Sequence, residues 1–442
     1  MTAEETETKS TEATAEKTPA GGPGADSVPG TAGMPGADSV PGTAGGPETP
    51  GLPEECRGLR RIGMEDPRIR VLGRTVSSRK PLHLYWTGSG IRLRAAASEL
   101  WVEVAASFQQ YEQWLTVVID GAVISRQMLW RGRQWICLFR NADPGKPKTV
   151  QLVKDVQPME QDAESRLEIH AVYTDGELLA LPDPACRLEF VGDSVTSGEG
   201  GIGARCEMEW ISEWFSATRN YAWLTAAALG ADYQVISQSG WGVVCAWDNN
   251  PHGRVPDLYR KVCRLAGSVS DLAAGADADW DFRLFRPDAV VVNLGANDAN
   301  AFSQPPFTDP VTGAQFQMQS RHDGTPEPDD LQRFEDAYLA FLGTVRECNP
   351  QAEILACQGI FGDLLTPRVQ SAVRGFQEKT GDSRVHFLHL SEIRKEDIGA
   401  REHPGIRAHR RMASEITAFL KTLPAFAGIP VQNPADGADS QL

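Results

Sequence analysis

A serine at the end of a short predicted strand is the residue best suited to nucleophilic chemistry in this chain. Residues 187–201 read RLEFVGDSVTSGEGG, so a β-branched and aromatic run leads through Gly192 and Asp193 to Ser194. A strand that ends at a serine between glycine-permitted bends holds the hydroxyl at a fixed edge of a sheet, as acyl-transfer enzymes do with their nucleophiles. The spacing is not the Gly-x-Ser-x-Gly elbow, which weakens an α/β-hydrolase interpretation. Ser194 is therefore the candidate nucleophile.

Acyl transfer also needs a base that reaches the serine and hydrogen-bond donors where the tetrahedral oxyanion forms. Gly240 lies in a Ser-Gly-Trp-Gly turn and can point its N–H into a cleft, and Asn297, in Gly-Ala-Asn-Asp, can aim an amide at the same place. His403 precedes Pro404, which disfavours helix at the histidine and leaves the imidazole on a loop. Each feature alone has an ordinary structural explanation. Together, and in this order, they predict an acyl-transfer site.

The elements that must position these residues begin after Pro182, where strands and helices alternate. Besides the strand before Ser194, strands are predicted at 232–237, 288–294, 353–357 and 385–390, and helices at 221–229, 330–348, 367–379 and 405–420. Five strands with helical crossovers predict a parallel, three-layer α/β/α sheet. Ligands bind at the carboxyl ends of such strands, where Ser194, Gly240 and Asn297 all fall. The long polar segment 299–330 is predicted to be a lid or substrate-binding loop at the same edge.

An all-β region precedes this alternation. Short runs, several of them alternating, are separated by turn signals such as Asp120-Gly121 and Asp175-Gly176; the runs lie at 82–86, 91–95, 100–104, 114–119, 135–139, 149–153 and 167–173. This spacing predicts a β-sandwich of jelly-roll type. Its aromatic residues could bind sugar, and core packing explains most of them equally well.

Low-complexity sequence fills the beginning of the chain. An eleven-residue Pro-Gly-Ala-Asp-Ser-Val-Pro-Gly-Thr-Ala-Gly unit occurs at 23–33 and again at 35–45, with no aromatic residue. Such a segment cannot bury enough apolar surface to fold, so disorder is predicted. The predicted organisation is a disordered tail at 1–55, a β-sandwich at 56–182, a hydrolase domain at 183–425 and a flexible tail at 426–442.

Charge and composition exclude several classes of partner. The net charge of −16 argues against nucleic acid or an anionic membrane as the main partner. No run of about 18 apolar residues could span a bilayer, and no apolar stretch follows Met1, so the expectation is a cytoplasmic protein unless export uses another route. Eight cysteines without a Cys-x-x-Cys pair predict buried reduced thiols rather than a zinc site. We expect neither a metal nor a cofactor, and the sequence leaves the oligomeric state open.

The motif set resembles a known family. Gly192-Asp193-Ser194, Gly240, Gly295-Ala296-Asn297-Asp298 and His403-Pro404 resemble the four blocks of the SGNH (GDSL-type) hydrolases, over about 187–422. The resemblance implies a flavodoxin-like fold, with Ser194 as nucleophile and His403 as general base. It also implies an oxyanion hole from the Ser194 and Gly240 amides and the Asn297 side chain. With its β region in front, the chain is similar to carbohydrate esterase family two, whose members carry a jelly roll ahead of an SGNH domain and remove acetyl groups from plant polysaccharides.

One position departs from the family pattern. SGNH hydrolases usually place an aspartate three residues before the histidine, and here that residue is Ala400. Two alternatives are open. Either a Ser–His dyad operates, with a backbone carbonyl or another acid orienting His403, or Asp397 reaches the imidazole from a distorted loop. The resemblance favours the dyad, since family-two enzymes include members with one.

The function that the resemblance implies is a carboxylic ester hydrolase (EC 3.1.1.-) that removes O-acetyl groups from acetylated xylan, mannan or their oligosaccharides. Trp241 between two glycines offers a flat apolar face for a pyranose ring, and Asp193 and Asp298 are predicted to contact substrate with it. The alternatives are a lipase, thioesterase or arylesterase acting on short non-carbohydrate esters, and a carbohydrate-binding module with a decayed site, for which Ala400 is the only support.

Overall fold

Antiparallel strands form the first third of the described chain, which is residues 51–432 of the computed structural model. Residues 1–50 of the predicted tail at 1–55 and the last ten residues, 433–442, lie outside the described residues, and the tail's last residues enter a short 3₁₀ helix at Glu54–Cys56. The strands are β1 Arg60–Gly63, β2 Arg70–Leu72, β3 Leu82–His83, β4 Gly90–Ala96, β5 Leu100–Ser107, β6 Trp114–Ile119, β7 Ala122–Met128, β8 Gly132–Phe139, β9 Lys148–Lys154, β10 Arg166–Thr174 and β11 Glu177–Leu179.

These strands make two antiparallel sheets that share one core. The first sheet has the order β1-β10-β5-β8, with β3 paired to β10; the second has the order β11-β4-β9-β6-β7, with β2 paired to β4. Alternation explains the packing: Ile91, Leu93 and Ala95 of β4 are fully buried, and they share a core with Val102 and Val104 of β5. The predicted all-β region is therefore present, whereas its jelly-roll topology stays a prediction.

All seven predicted β runs overlap strands, and four strands were missed. β1, β2 and β11 span only three or four residues, too short for a pattern to stand out. β7 is largely exposed and has no clear alternation, although the Asp120-Gly121 turn before it marks a hairpin. We will call residues 60–179 the sandwich region.

Strands and helices alternate in the remainder. The elements are β12 Arg187–Gly192, α1 Ser194–Ser197, α2 Tyr221–Ala228, β13 Asp232–Ser237, α3 Val269–Ala274, β14 Ala289–Asn293, α4 Ala296–Ala301, β15 Phe307–Thr308, β16 Gln315–Phe316, α5 Pro328–Cys348, β17 Glu353–Gln358, α6 Thr366–Thr380, β18 Val385–His389 and α7 Ile406–Leu420. We will call residues 187–420 the parallel-sheet region.

The five-stranded parallel sheet is confirmed, with the order β13-β12-β14-β17-β18. In chain order this is 2-1-3-4-5, the flavodoxin-like arrangement. Every residue of β14 is buried, as expected for a central strand covered on both faces. Phe341 of α5 and Val373 of α6 pack on one face, and Ala222 of α2 and Ile416 of α7 pack on the other. The three-layer prediction is therefore confirmed.

The two regions are joined by buried polar contacts. The Asp155 carboxylate accepts hydrogen bonds from Arg126 Nε at 2.8 Å and from the Ala217 N–H at 3.0 Å. Arg126 also donates to the Phe215 carbonyl at 2.9 Å, and the Thr87 hydroxyl donates to the Ser197 carbonyl at 3.1 Å. Because these partners are desolvated, the sandwich region is fixed firmly beside the turn that carries Ser194.

The predicted lid segment, 299–330, is anchored by Asn249. It begins within α4, contains the β15–β16 hairpin and ends within α5, which begins at Pro328. The buried Asn249 side chain donates to the Ala301 carbonyl at 3.0 Å and accepts from the Met318 N–H at 2.8 Å. A substrate contact by this segment stays a prediction.

The first residues of the predicted flexible tail at 426–442 are packed on the parallel-sheet region, so this part of the prediction is wrong. Phe426 is fully buried against the α2–α7 face, and the Gln432 N–H donates to the Ala228 carbonyl at 2.7 Å. Within residues 51–432, no helix combines the length and apolar character needed to cross a membrane.

Candidate active site

Ser194 stands at the carboxyl end of β12, next to the centre of the parallel sheet. Asp193 caps α1, with its carboxylate accepting from the Val195 N–H at 3.1 Å, and Ser194 begins the helix. The turn requires Gly192, because a Cβ there would lie 1.9 Å from the Thr196 hydroxyl oxygen. Strand end and cap together fix the Ser194 hydroxyl at the edge of the sheet, where it is 7% exposed.

His403 meets this serine. Its Nε2 lies 2.8 Å from Ser194 Oγ, and its Nδ1 lies 2.7 Å from the Arg401 carbonyl oxygen. A carbonyl oxygen can only accept, so Nδ1 carries the proton in the neutral ring and Nε2 is free to accept from the serine hydroxyl. This is the tautomer that a general base needs.

The partner that orients His403 is a main-chain carbonyl. Arg401 has a left-handed backbone, with φ +53°, which turns its carbonyl toward the imidazole. Asp397 is bound instead by Arg407 Nε at 2.9 Å and Arg411 Nη1 at 2.5 Å, so the alternative in which Asp397 reaches the imidazole is wrong. Ala400 is fully buried, and its N–H donates to the Gly200 carbonyl.

The glycine-rich turn after the nucleophile packs directly on the histidine loop. Gly200 has φ +66°, and a Cβ there would lie 2.2 Å from the Ala400 carbonyl oxygen and 2.6 Å from His403 Cβ. Both the backbone conformation and the close approach therefore require glycine. The Ser194 turn and the His403 loop are thus in direct contact, which sets the distance between the two side chains.

The predicted oxyanion donors lie at the ends of the two strands that flank β12 in the sheet. Gly240 follows β13 with φ +78°, and its carbonyl accepts from the Trp247 N–H at 2.9 Å. Asn297 lies in the first turn of α4 after β14, and its Nδ2 donates to the Trp241 carbonyl at 2.9 Å. An amide nitrogen carries two hydrogens, so this bond orients the side chain and leaves its second N–H available.

Two predicted substrate contacts are corrected. Asp298 is fully buried, and its carboxylate accepts from the N–H groups of Val243 and Val244, at 2.8 and 2.7 Å. Asp193 is 2% exposed and caps α1. Burial raises the pKa of Asp193 to about 7 and that of Asp298 to about 6. Both aspartates shape the turns that carry Ser194 and Gly240, because a buried carboxylate satisfies several N–H groups at once.

Aromatic side chains lie near the imidazole and at the Gly240 turn. Trp241 is half-buried and packs against two hydrophobic clusters, so its contact with substrate stays a prediction. Phe361, which follows β17, was missed; it is 44% exposed and lies edge-to-face with His403 at 6.3 Å between ring centroids. An aromatic residue just after a parallel strand was the available signal.

Glu199 was also missed, although it lies within the Ser194 segment. It is 2% exposed, its Oε1 accepts from Arg401 Nε at 2.8 Å, and the same oxygen lies 3.9 Å from His403 Nε2. Burial acts to raise the pKa of Glu199, but the charges of His403 and Arg401 and hydrogen bonds from Ser239 and Arg401 outweigh it and lower the pKa. An acidic residue among glycines in a turn is typical of a solvated loop, so the sequence pattern did not indicate that Glu199 is buried beside the histidine.

Nothing in the described chain gathers three or more histidine, cysteine or carboxylate side chains in a metal-binding cluster. The site joins a serine hydroxyl, a correctly tautomeric imidazole and donors at neighbouring strand ends, which are the parts that acyl transfer uses.

Comparison with known proteins relates this geometry to a family. No family model matches the chain. An acetyl xylan esterase from the rumen bacterium Butyrivibrio proteoclasticus is 37% identical, with a TM-score of 0.81 over 82% of this chain and 98% of that one. A family two carbohydrate esterase from Clostridium thermocellum has the same fold, at 24% identity and a TM-score of 0.65, over 80% of this chain and 98% of that one.

A curated relative is considerably longer than this chain. The cellulase/esterase CelE of Acetivibrio thermocellus is 26% identical over 353 residues, which is 76% of this chain and 37% of that protein. The chain thus spans little more than a third of that relative's length. The similarity to the Butyrivibrio structure extends over nearly its whole length and includes both the two-sheet and the parallel-sheet regions. The chain therefore belongs to carbohydrate esterase family two.

Proposed function

We propose that this protein is a serine esterase that removes O-acetyl groups from carbohydrates, with acetylated xylan or mannan and their oligosaccharides as the substrate class. The observation that carries the proposal is the 2.8 Å contact between Ser194 Oγ and His403 Nε2 in a member of a carbohydrate esterase family. The Butyrivibrio relative is named an acetyl xylan esterase, which supports acetyl as the group removed and a polysaccharide as the substrate.

Acylation follows from the contacts of the two side chains. Ser194 Oγ attacks the acetyl carbonyl carbon while its proton passes to His403 Nε2. The carbonyl oxygen becomes an oxyanion, which the N–H groups of Ser194 and Gly240 and the free N–H of Asn297 stabilise. Collapse of this intermediate expels the sugar oxygen, which takes the proton from His403. The acetyl group remains on Ser194 as an ester.

Deacylation repeats these steps with water. His403 Nε2 accepts a proton as water attacks the acetyl carbon, and the same donors receive the oxyanion. Acetate leaves and Ser194 regains its proton from the imidazole. Throughout, the Arg401 carbonyl keeps the Nδ1 hydrogen in place, so the ring alternates between neutral and protonated forms without turning.

Half-exposed aromatic residues support a sugar as the alcohol part of the ester. Phe361 stands beside His403, and Trp241 follows Gly240 directly. Aromatic faces pack well against the C–H groups of a pyranose ring. The resemblance also implies a jelly roll for the sandwich region, and the mixing of early and late strands within each sheet supports that topology.

The test is acetate release from acetylated xylan by wild type and by Ser194→Ala. We expect the variant to lose activity by at least about 10³-fold, because the nucleophile is removed while the oxyanion donors remain. Ser77→Ala is the matched control, since Ser77 is exposed in the loop between β2 and β3 of the sandwich region. Equal turnover by wild type and Ser194→Ala would show that another group is the nucleophile.

Two alternatives make different predictions. A thioesterase, arylesterase or lipase would hydrolyse longer or non-carbohydrate acyl esters faster than acetylated xylooligosaccharides, which a panel of esters measures. A decayed binding module would bind xylan without releasing acetate. The Arg401 carbonyl argues against decay, because it supplies the orienting acceptor that Ala400 lacks.

A further inference from the structure

A buried carboxylate lies beside the imidazole, outside the groups that the proposed mechanism uses. Glu199 follows the one-turn helix α1 of the nucleophile, and its N–H donates to the Ser194 carbonyl at 3.0 Å. The flanking residues Gly198 and Gly200 both have positive φ, which turns the chain so that the Glu199 side chain is enclosed rather than solvated. Removing a carboxylate from water costs free energy, so a buried charge is stable only where its partners compensate for the lost hydration.

The main partner of Glu199 is the residue whose carbonyl orients the base. Arg401 Nε donates to Glu199 Oε1 at 2.8 Å, and Arg401 Nη1 donates to the Met208 carbonyl at 2.6 Å. The Arg401 N–H donates to the Glu207 carbonyl at 2.7 Å. Arg401 is thus held at its side chain and at its backbone while its φ of +53° is unfavourable for a residue with a Cβ.

We propose that Glu199 is the positioning acid of this site: by anchoring the Arg401 side chain it holds the Arg401 carbonyl on His403 Nδ1, and its charge stabilises the imidazolium during acyl transfer. It would thereby take over, from the other side of the ring, the task that an aspartate at position 400 performs in a triad. This inference rests on the proposed serine-esterase function, and it identifies a residue that acts through Arg401 rather than on the substrate.

The charged groups around Glu199 fit this role. Arg401 supplies a permanent positive charge and His403 supplies one when it is protonated, and their attraction lowers the pKa of Glu199 in spite of burial. Asp193 lies on the same turn and has a raised pKa, so it adds little negative charge of its own below neutral pH. His409 packs behind the loop, and burial lowers its pKa to about 3, so it remains neutral. Glu199 is therefore the main anion beside the imidazole.

The test is Glu199→Gln, which keeps the size of the side chain and removes its charge. We expect kcat for acetyl esters to fall about a hundredfold with little change in KM, less than the ~10⁴-fold loss when the acid of a serine-protease triad is neutralised, because the Arg401 carbonyl remains. The low-pH limb of the activity profile should move to lower pH, since the protonated ring loses a neighbouring anion. A purely structural role would lower stability without moving that limb.

Glu335→Gln is the matched control. Glu335 also pairs with an arginine and a serine, Arg368 at 3.1 Å and Ser371 at 2.6 Å, but between α5 and α6. It should leave kcat and the pH profile unchanged. If Glu199→Gln keeps kcat and the pH limb of wild type, the proposal is wrong.

Measuring the labelling rate of Ser194 tests the role of Glu199 independently of the proposed substrate. A fluorophosphonate labels Ser194 by displacement of fluoride, with the serine proton passing to His403, so the labelling rate reports the base without any sugar. Slower labelling of Glu199→Gln supports the inference even if wild type releases no acetate from xylan, which would overturn only the substrate. If Glu199→Gln does not fold, Arg401→Leu tests the same anchor; labelling at the wild-type rate by that variant would overturn the proposal.

Discussion

The sandwich region and the parallel-sheet region bury their strands in different ways. Strand β4 of the sandwich alternates buried and partly exposed residues, so it faces the core on one side only. Strand β14 of the parallel sheet is buried along its whole length, because helices cover both faces. All of the proposed catalytic and oxyanion residues lie at the carboxyl ends of the parallel strands or on the His403 loop.

The sandwich region nevertheless contacts the Gly240 turn through a buried side chain. Gln157 follows β9 and is fully buried, and its Oε1 accepts from the Ser239 N–H at 2.9 Å. Ser239 precedes Gly240, whose amide is a proposed oxyanion donor. The parallel sheet therefore supplies the reacting groups, while the sandwich holds one of the turns that carry them.

Among residues that do not react themselves, the largest effect on kcat is expected at Gly200, where the nucleophile turn packs against the histidine loop. Gly200→Ala places a Cβ against the Ala400 carbonyl and His403, so the imidazole must move. A displacement of about 1 Å costs on the order of a hundredfold in rate, and we expect kcat to fall at least that far. Acetate release and circular dichroism measure activity and folding.

Gly121→Ala in the sandwich region is the control for this prediction. Gly121 has a similar φ of +87°, but nothing lies within 4 Å of an added Cβ. It should cost about 1 kcal/mol of stability through backbone strain and leave kcat unchanged. Equal loss of kcat in both variants would show that strain, rather than contact with the histidine loop, sets the effect.

A buried histidine of each region provides the next test. His83 in the sandwich lies 3.0 Å from Asp271, whereas His409 on α7 accepts only the Tyr221 N–H, at 3.3 Å, among the described residues. Burial, with the nearby His403, lowers the pKa of His409 to about 3. Because the folded pKa lies below the unfolded value, this group's stabilisation is present above about pH 6.5 and is lost as the pH falls toward 3.

His409→Leu removes that titration. As the pH falls from 8 to 5, the titration of His409 should lower the free energy of unfolding of wild type by about 2 kcal/mol. The variant should not show this decrease. Urea unfolding at the two pH values measures the difference. If wild type and variant lost the same free energy of unfolding between pH 8 and pH 5, the assignment of this pH dependence to His409 would be wrong.

The smallest effect is expected at the contact from the sandwich. Gln157→Leu leaves the Ser239 N–H without its acceptor and loosens the Gly240 turn, so kcat should fall about tenfold with KM nearly unchanged. Gln113→Leu is the control, because Gln113 is equally buried but bonds to Ser165 within the sandwich. If both variants keep the kcat of wild type, the sandwich supports folding alone and takes no part in positioning the oxyanion donors.

The parallel sheet could be predicted from sequence because its signals are local. A continuous apolar run such as β14 and an amphipathic run such as α5 reveal their burial directly. The positions of Ser194 and His403 follow, since strand ends and a proline-preceding loop restrict where side chains can point. The polar residues beside them were harder to assign. Asp193 and Asp298 were predicted to touch substrate, yet they bond to backbone N–H groups that only the folded turns bring together.

Glu199 and the Arg401 carbonyl could not be found from side-chain patterns. Glu199 lies in a glycine-rich turn that is typical of exposed loops, and its enclosure depends on a loop about 200 residues away. The carbonyl belongs to the backbone, so the type of residue at position 401 gives no indication of its role. Its direction depends on a left-handed φ at an arginine, which sequence rules assign to glycine or asparagine.

That carbonyl has a consequence for how the site tolerates change. A carboxylate partner of a catalytic histidine can be erased by one codon change or silenced by a proton in acid. The oxygen of a peptide bond is encoded by no particular codon and does not titrate in the range where proteins fold. Substitutions at position 401 can shift this oxygen, but none can delete it. A mutation can therefore weaken the hydrogen bond from His403 to this carbonyl only by changing the conformation of the loop.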